Sequence, residues 1–165
     1  MREYRVICIC GGVTMKIGYI EGNEELLDLL KPMWEKLNLI HKSRSLYFKD
    51  RYEKLIFAER KSILLKKAEA GMVRVDLAVE EGNTYVGYCI GSIVGDKAGD
   101  IDSLYVEPGY RNAGIGGCLV ERMLRWMDGS GVLSKTVTVA VGNEEVFSFY
   151  SRYGFYSSAN ILMQR

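Results

Sequence analysis

The residues whose types and spacing could do chemistry begin with Arg111-Asn112-Ala113-Gly114-Ile115-Gly116, set between an apolar run at 101–106 and a segment carrying Leu119, Met123 and Trp126. This reads as a strand, a turn and a helix start. Gly114 and Gly116 remove side chains where a ligand can press against the backbone, and the first amide hydrogens of the helix lack partners within it. With the helix dipole behind them, such donors suit a phosphate or pyrophosphate, and Arg111 adds a permanent charge with forked donors. A Walker loop is excluded, because Ile115 stands where its lysine belongs and no Ser or Thr follows. A dinucleotide fingerprint fits badly as well, since it belongs near the start of a domain and needs a small residue where Leu119 stands.

The longer string Leu104-Tyr105-Val106-Glu107-Pro108-Gly109-Tyr110-Arg111-Asn112-Ala113-Gly114-Ile115-Gly116 is followed downstream by Asn143 and by Phe149-Tyr150-Ser151-Arg152-Tyr153-Gly154-Phe155. Together they resemble the GNAT superfamily of acetyl-CoA-dependent N-acetyltransferases. The first string is similar to its coenzyme A motif with the strand end before it, and the second to its last helix and final strand. The resemblance implies the GNAT fold, of α/β (α+β) class: a central mixed, mostly antiparallel sheet of about six to seven strands with a splayed parallel pair, flanked by about four helices. It also implies that acetyl-CoA is the acetyl donor and an amine the acceptor, with no metal involved. By the same resemblance, the amide of Val106, at the end of the Leu104 and Tyr105 strand, polarises the thioester carbonyl. Amides from Asn112, Ala113, Gly114, Ile115 and Gly116 hold the pyrophosphate with Arg111, and Asn143 bonds the pantetheine or merely caps a helix. Tyr150 is the implied acid that protonates the departing thiolate, and Tyr153 a packing residue. A second reading keeps the acetyl-CoA cleft but not the transfer, as a sensor or interaction domain.

The attacking amine must be neutral, yet an alkyl ammonium with a pKa near ~10 is mostly protonated at neutral pH. Asp100 and Asp102, two apart and so on one face of a strand, and Glu107 after its end could take that proton through water, Asp102 first among them, or be solvated strand-edge carboxylates. The single histidine, His41, reads as a solvated or hydrogen-bonding loop residue.

A chain of 165 residues makes one domain with a single core. The expected division is an extension at 1–14, either an added edge strand or a start-site artefact ahead of Met15, and one N-acetyltransferase domain at 15–165. A net charge of +1, without a basic stripe, points away from nucleic acid. No apolar stretch reaches bilayer length and no signal peptide is legible, so a cytoplasmic protein without membrane contact is expected. Cysteines at 8, 10, 89 and 118 lack metal or redox spacing and read as reduced thiols. Dimers are common among proteins of the family that the motifs resemble.

The elements that must position these residues follow in order. Asn23 caps an apolar helical stretch that Pro32 should kink or divide, and a second helix is expected from about Phe48 to Ala70, ended by Gly71. Alternation at 73–79 predicts a strand with one buried and one wetter face, followed by strands at 85–94 and 100–106 in a meander. Gly87 and Gly91 suggest a bulge or a close approach in the middle strand. The loop helix runs to about Met127. A β-branched strand follows at 136–141, then a helix opened by Asn143, and a final strand from Phe155 toward Met163.

Overall fold

The computed structural model describes residues 2–10, 13–81, 83–95 and 97–164, with side chains from residue 16 onward. The side chains of Cys8 and Cys10, and the glycines Gly11, Gly12 and Gly82, lie outside that description.

Six strands among the described residues form one sheet in sequence order: β1 (Arg2–Cys10), β2 (Val13–Gly22), β3 (Gly71–Glu80), β4 (Thr84–Val94), β5 (Ala98–Val106) and β6 (Ser134–Val137). The first five pair antiparallel, and β6 runs parallel to β5. This is the expected mixed, mostly antiparallel sheet with one parallel pair. The final strand is not formed, because 155–164 has no strand segment and exposes Tyr156, Ile161, Leu162 and Met163. Its polar start, Ser157-Ser158-Ala159-Asn160, has little strand propensity, and β6 offers only four residues as an edge. The β6 strand itself is shorter than the expected 136–141.

Between β2 and β3 the chain builds helices. Asn23 accepts from the Glu25 amide at 3.2 Å and opens a 3-10 turn, Glu24–Leu30. Pro32 falls in the first turn of α1 (Lys31–Arg44), where its missing amide donor costs nothing, so the stretch divides there as expected. The helix expected from 48 is instead two, α2 (Lys49–Lys54) and α3 (Phe57–Ala70). Leu55 and Ile56 between them are extended, and their irregular apolar spacing could not hold one buried face. His41 belongs to the last turn of α1 and not to a loop.

Both faces of the sheet are covered. Met33, Trp34, Phe57 and Leu64 from α1 and α3 pack on Val75, Leu77, Tyr88, Ile90 and Tyr105. On the other face, α4 (Ile115–Gly129) sets Ile115, Leu119, Val120, Met123 and Met127 against Ile17, Tyr19, Ala78, Cys89 and Ile101. The face of β3 expected to be wetter is therefore buried. Asp76 on that face is 0% exposed, yet Arg74 and Arg122 hold it at 3.1 and 3.2 Å, and both also reach Glu21. Paired in this way, a carboxylate survives burial that would otherwise expel it.

Gly87 and Gly91 serve the two purposes expected of them. The ladder shifts register at both partners of β4, and a Cβ on Gly91 would stand 2.4 Å from Met123 Sδ, so α4 lies close over the strand. At the second shift Ile90 pairs with Ser103 and Gly91 with Ile101, which leaves Asp102 as an extra residue in β5. Beyond this bulge Tyr105 joins the α1 and α3 face, while Leu104 and Val106 pack with the α4 face.

Two predictions arise here. Gly71 joins α3 directly to β3, and a Cβ there would stand 2.1 Å from the Ile93 carbonyl oxygen. Gly71→Ala should therefore lower stability by about 1–3 kcal/mol, the usual cost of overpacking, in urea unfolding. Wild-type stability would show that β4 yields freely. The second concerns β1, which among the described strands pairs only with β2 at the sheet's edge. A chain beginning at Met15 is expected to melt within a few degrees of the full one; a larger fall in a thermal scan would make β1 a working part of the domain.

Candidate active site

The ladder between β5 and β6 ends at the Ile101–Val137 pair, whereas β5 continues to Val106. A gap therefore opens along the outer side of residues 102–106. Glu107 donates its amide to the Val86 carbonyl at 2.9 Å, so by ladder alternation the Val106 amide and carbonyl point away from β4 into that gap. The Val106 carbonyl accepts from Arg111 Nε at 3.0 Å, and the Arg111 guanidinium lies 5.8 Å from the centre of the Tyr105 ring. Arg111 thus ties the loop back to the strand end.

The loop then turns through two left-handed residues, Asn112 (φ 62°) and Gly114 (φ 82°), and Gly114 caps α4. Only glycine adopts that conformation without cost, and a Cβ at Gly114 would meet nothing within 4 Å, so the space before the helix is open. The Cys118 amide reaches back to the Gly114 carbonyl at 3.0 Å. Helix geometry leaves Ile115, Gly116 and Gly117 before it with amides that have no acceptor inside α4. The Ile115 side chain is buried in the core, so its backbone alone faces the opening. Gly116 is the meeting point of the site: a Cβ there would lie 3.6 Å from the Phe149 ring and 3.7 Å from Val106 Cγ2.

After β6, a 3-10 turn (Glu144–Val146) leads into α5 (Phe147–Ser151), which carries Phe149 and Tyr150. Tyr150 is 7% exposed, packed edge-on to Phe149 at 5.1 Å and to Phe155 at 5.9 Å. Burial pushes its phenol well above the usual tyrosine range, with Cys89 adding to the shift. No protein group among the described residues bonds its hydroxyl. Tyr153 also rests on Phe149, and its hydroxyl lies 2.6 Å from where a Gly117 Cβ would be, so it packs against the first turn of α4.

Val106, Arg111, Gly116 and, through Phe149, Tyr150 are therefore brought together, with Leu104 earlier on the same strand and Asn112, Ala113, Gly114 and Ile115 in the segment that joins them. Tyr105 turns to the other face, where burial and then neighbouring Glu107 push its phenol up to about 12. Asn143 faces α1: its side chain makes no cap, and its Oδ1 accepts from Arg44. Asp102 is bound by Arg60, Lys67 and Ser92. Asp100, which partial burial would raise, is instead lowered by hydrogen bonds from Thr136 and Lys67. The two aspartates are ion-pair partners of α3 and not free bases. His41 stacks near Tyr52, and burial, with Arg44 beside it, lowers its pKa. A surface depression lies elsewhere, between Glu21, Asn23, Met72, Arg74 and Trp126, where Arg74 and Glu21 already pair with each other.

The model of the Acetyltransferase (GNAT) family matches residues 24–155. The chain belongs to this family. No curated protein matches it in sequence. Among solved structures, this GNAT chain is similar to a GCN5-related N-acetyltransferase from Ralstonia eutropha, with a TM-score of 0.72 and 18% identity over 90% of this chain and 98% of that one. It is also similar to a putative acetyl transferase from Pyrococcus furiosus, with TM-score 0.65, 20% identity, and 89% and 99% of the two chains covered. A third is the aminoglycoside N-acetyltransferase AAC(6')-Iy in complex with CoA, with TM-score 0.66, 12% identity, and 92% and 95% covered. At such identities these likenesses speak for the fold.

Three residues of this GNAT chain escaped the sequence reading. Phe149 packs against Gly116 and lay unread inside the quoted motif. Arg44 and Gly142 lack any local signal, because Arg44 finds Asn143 and Glu145 about a hundred positions away and Gly142, at φ 88°, presses on the Arg44 carbonyl. Among the described residues no group of three or more His, Cys, Asp or Glu could hold a metal ion, and no helix is long and apolar enough to cross a membrane. Cys89 and Cys118 are free thiols.

Proposed function

We propose that this GNAT protein transfers the acetyl group of acetyl-CoA directly to a primary amine of a small molecule or protein. One arrangement supports the reading: the ladder to β6 stops at Ile101, which leaves the Val106 amide pointing away from β4, and Gly116 in the first turn of α4 lies against Val106 and against Phe149, on which Tyr150 packs. The amides of Ile115, Gly116 and Gly117, with the helix dipole behind them, hold the pyrophosphate, and glycine at 114 and 116 leaves room for it. The Val106 amide receives the charge that develops on the carbonyl oxygen as the amine attacks. Tyr150, its phenol raised by burial, stays protonated at working pH and donates to the departing sulfur.

The test is an acceptor screen on the full chain, following thiol release from acetyl-CoA over alkylamines, aminoglycosides, amino acids and lysine peptides. Acceptor-dependent release is the expected result. Tight coenzyme A binding with no release from any member of the panel would overturn transfer and leave the sensor reading in its place.

A further inference from the structure

Building on the acetyl-transfer reading, we infer that Glu107 is the carboxylate that receives the acceptor's ammonium, and that the Lys36 ammonium occupies the acceptor's place in this structure. The acceptor belongs to the same chemical class as the lysine side chain, a primary amine at the end of an unbranched alkyl arm.

The argument starts from the two faces of β5. The first-turn amides of α4 commit one face to the donor, so an attacking amine must come from the opposite face, covered by α1. Beyond the Asp102 bulge Tyr105 lies on that face, and Glu107, two positions on, follows it. Glu107 Oε1 accepts from Lys36 Nζ at 2.6 Å and Oε2 from the Tyr105 hydroxyl at 3.1 Å. The carboxylate is sunk, at 18% exposure, whereas the lysine reaches it from outside at 55%. A half-exposed pair of this kind is held weakly and exchanges readily.

The carboxylates of β5 itself on this side are differently engaged. Asp102 is held by Arg60, Lys67 and Ser92, and Asp100 by Lys67 and Thr136. The far end of α1 is fixed more firmly. Arg44, two four-residue steps beyond Lys36 on the same helix face, donates to Asn143 and to Glu145 at 2.7 Å, with Gly142 packed on its carbonyl. Helix α1 thus spans the gap, anchored beside β5 by Lys36 and after β6 by Arg44, and Lys36 is the anchor that an incoming ammonium can replace.

The step balances. An N–H bond of the acceptor's ammonium breaks as an O–H bond forms on Glu107, leaving a neutral amine. Its lone pair forms the C–N bond to the acetyl carbon, the C–S bond breaks, and Tyr150 protonates the thiolate. The second nitrogen proton returns to the Tyr150 phenolate, and Glu107 releases its proton to water.

The experiment needs no turnover. Full-length protein labelled at its glutamate carboxyl carbons is titrated with n-butylammonium chloride, with n-butanol as the uncharged control, and followed by carbon NMR. An internal competitor weakens apparent affinity by the fraction of time it leaves the site open, so Lys36→Ala should bind butylammonium about tenfold more tightly than wild type. Glu107→Gln, which has no glutamate carboxyl at 107 and is followed by calorimetric titration instead, should lose saturable binding, and butanol should bind none of them. Equal affinity in Lys36→Ala and wild type, or retained binding in Glu107→Gln, would overturn the assignment. Lys36 is exposed, so the Lys36→Ala arm stands even if Glu107→Gln folds poorly. Coenzyme A titrated into the same samples tests the transfer reading separately, since its failure to bind would sink that reading whatever the butylammonium result.

Discussion

Gly116→Val is expected to abolish coenzyme A binding while leaving the protein folded. A first carbon at this position makes only ordinary contacts, 3.6 Å from Phe149 and 3.7 Å from Val106. The fold therefore accepts a methyl group, and valine is no worse a helix former than the glycine it replaces. The two further methyls of valine reach beyond these contacts. They must spread from the Phe149 and Val106 contact toward the opening, over the amides of Ile115 and Gly117 that are assigned to the pyrophosphate. Gly116→Ala should fall between the two. Calorimetric titration with coenzyme A, on variants whose circular dichroism matches wild type, decides the matter. Unchanged affinity in the valine variant would mean that the anion is held elsewhere.

Tyr150→Phe should lower kcat by about 10²-fold, within the usual range for a positioned acid, with coenzyme affinity nearly unchanged. The ring stays packed between Phe149 and Phe155, and the hydroxyl leaves no protein partner behind, so melting should move little. The loss is incomplete because a thiol pKa near ~8.5 makes the thiolate a tolerable leaving group without help. The raised phenol has a further consequence for pH. Donation requires the protonated form, which persists below the folded-state pKa, so this group imposes no loss of rate through the neutral and mildly alkaline range. Tyr153→Phe is the control, since that hydroxyl only leans on Gly117. Full turnover in Tyr150→Phe with chemistry rate-limiting would move the acid to another group or to water.

The parts of this site legible in the sequence were those built from neighbours in the chain. The turn at 111–116 needs glycine for its backbone and a helix behind it, and both signals sit within one short window. Pro32 likewise announced its break. What could not be read depended on partners far away or on register. Arg44 meets Asn143 only after the sheet has folded, so the asparagine read as a cofactor ligand or a cap. Asp76 looked like a solvent-side residue until α4 brought Arg122 over it. Ile161, Leu162 and Met163 suggested a strand, but propensity does not supply an edge to pair with.

The extra residue in β5 is absorbed where it stands. Side chains alternate with a period of two, and the bulge at Asp102 takes up one additional residue without passing it on to the positions after it. Gly91 pairs with Ile101 and Ile90 with Ser103 on either side of Asp102, so a strand lacking that residue would close into plain alternation and keep Tyr105 on the α1 face and the Val106 side chain on the α4 face. A substitution at Asp102 costs its ion pairs with Arg60 and Lys67 but leaves the count intact. What the site requires is therefore the pairing of residues 103–106 with β4, so in a survey of related chains the bulge residue itself should come and go more freely than the register of the residues after it.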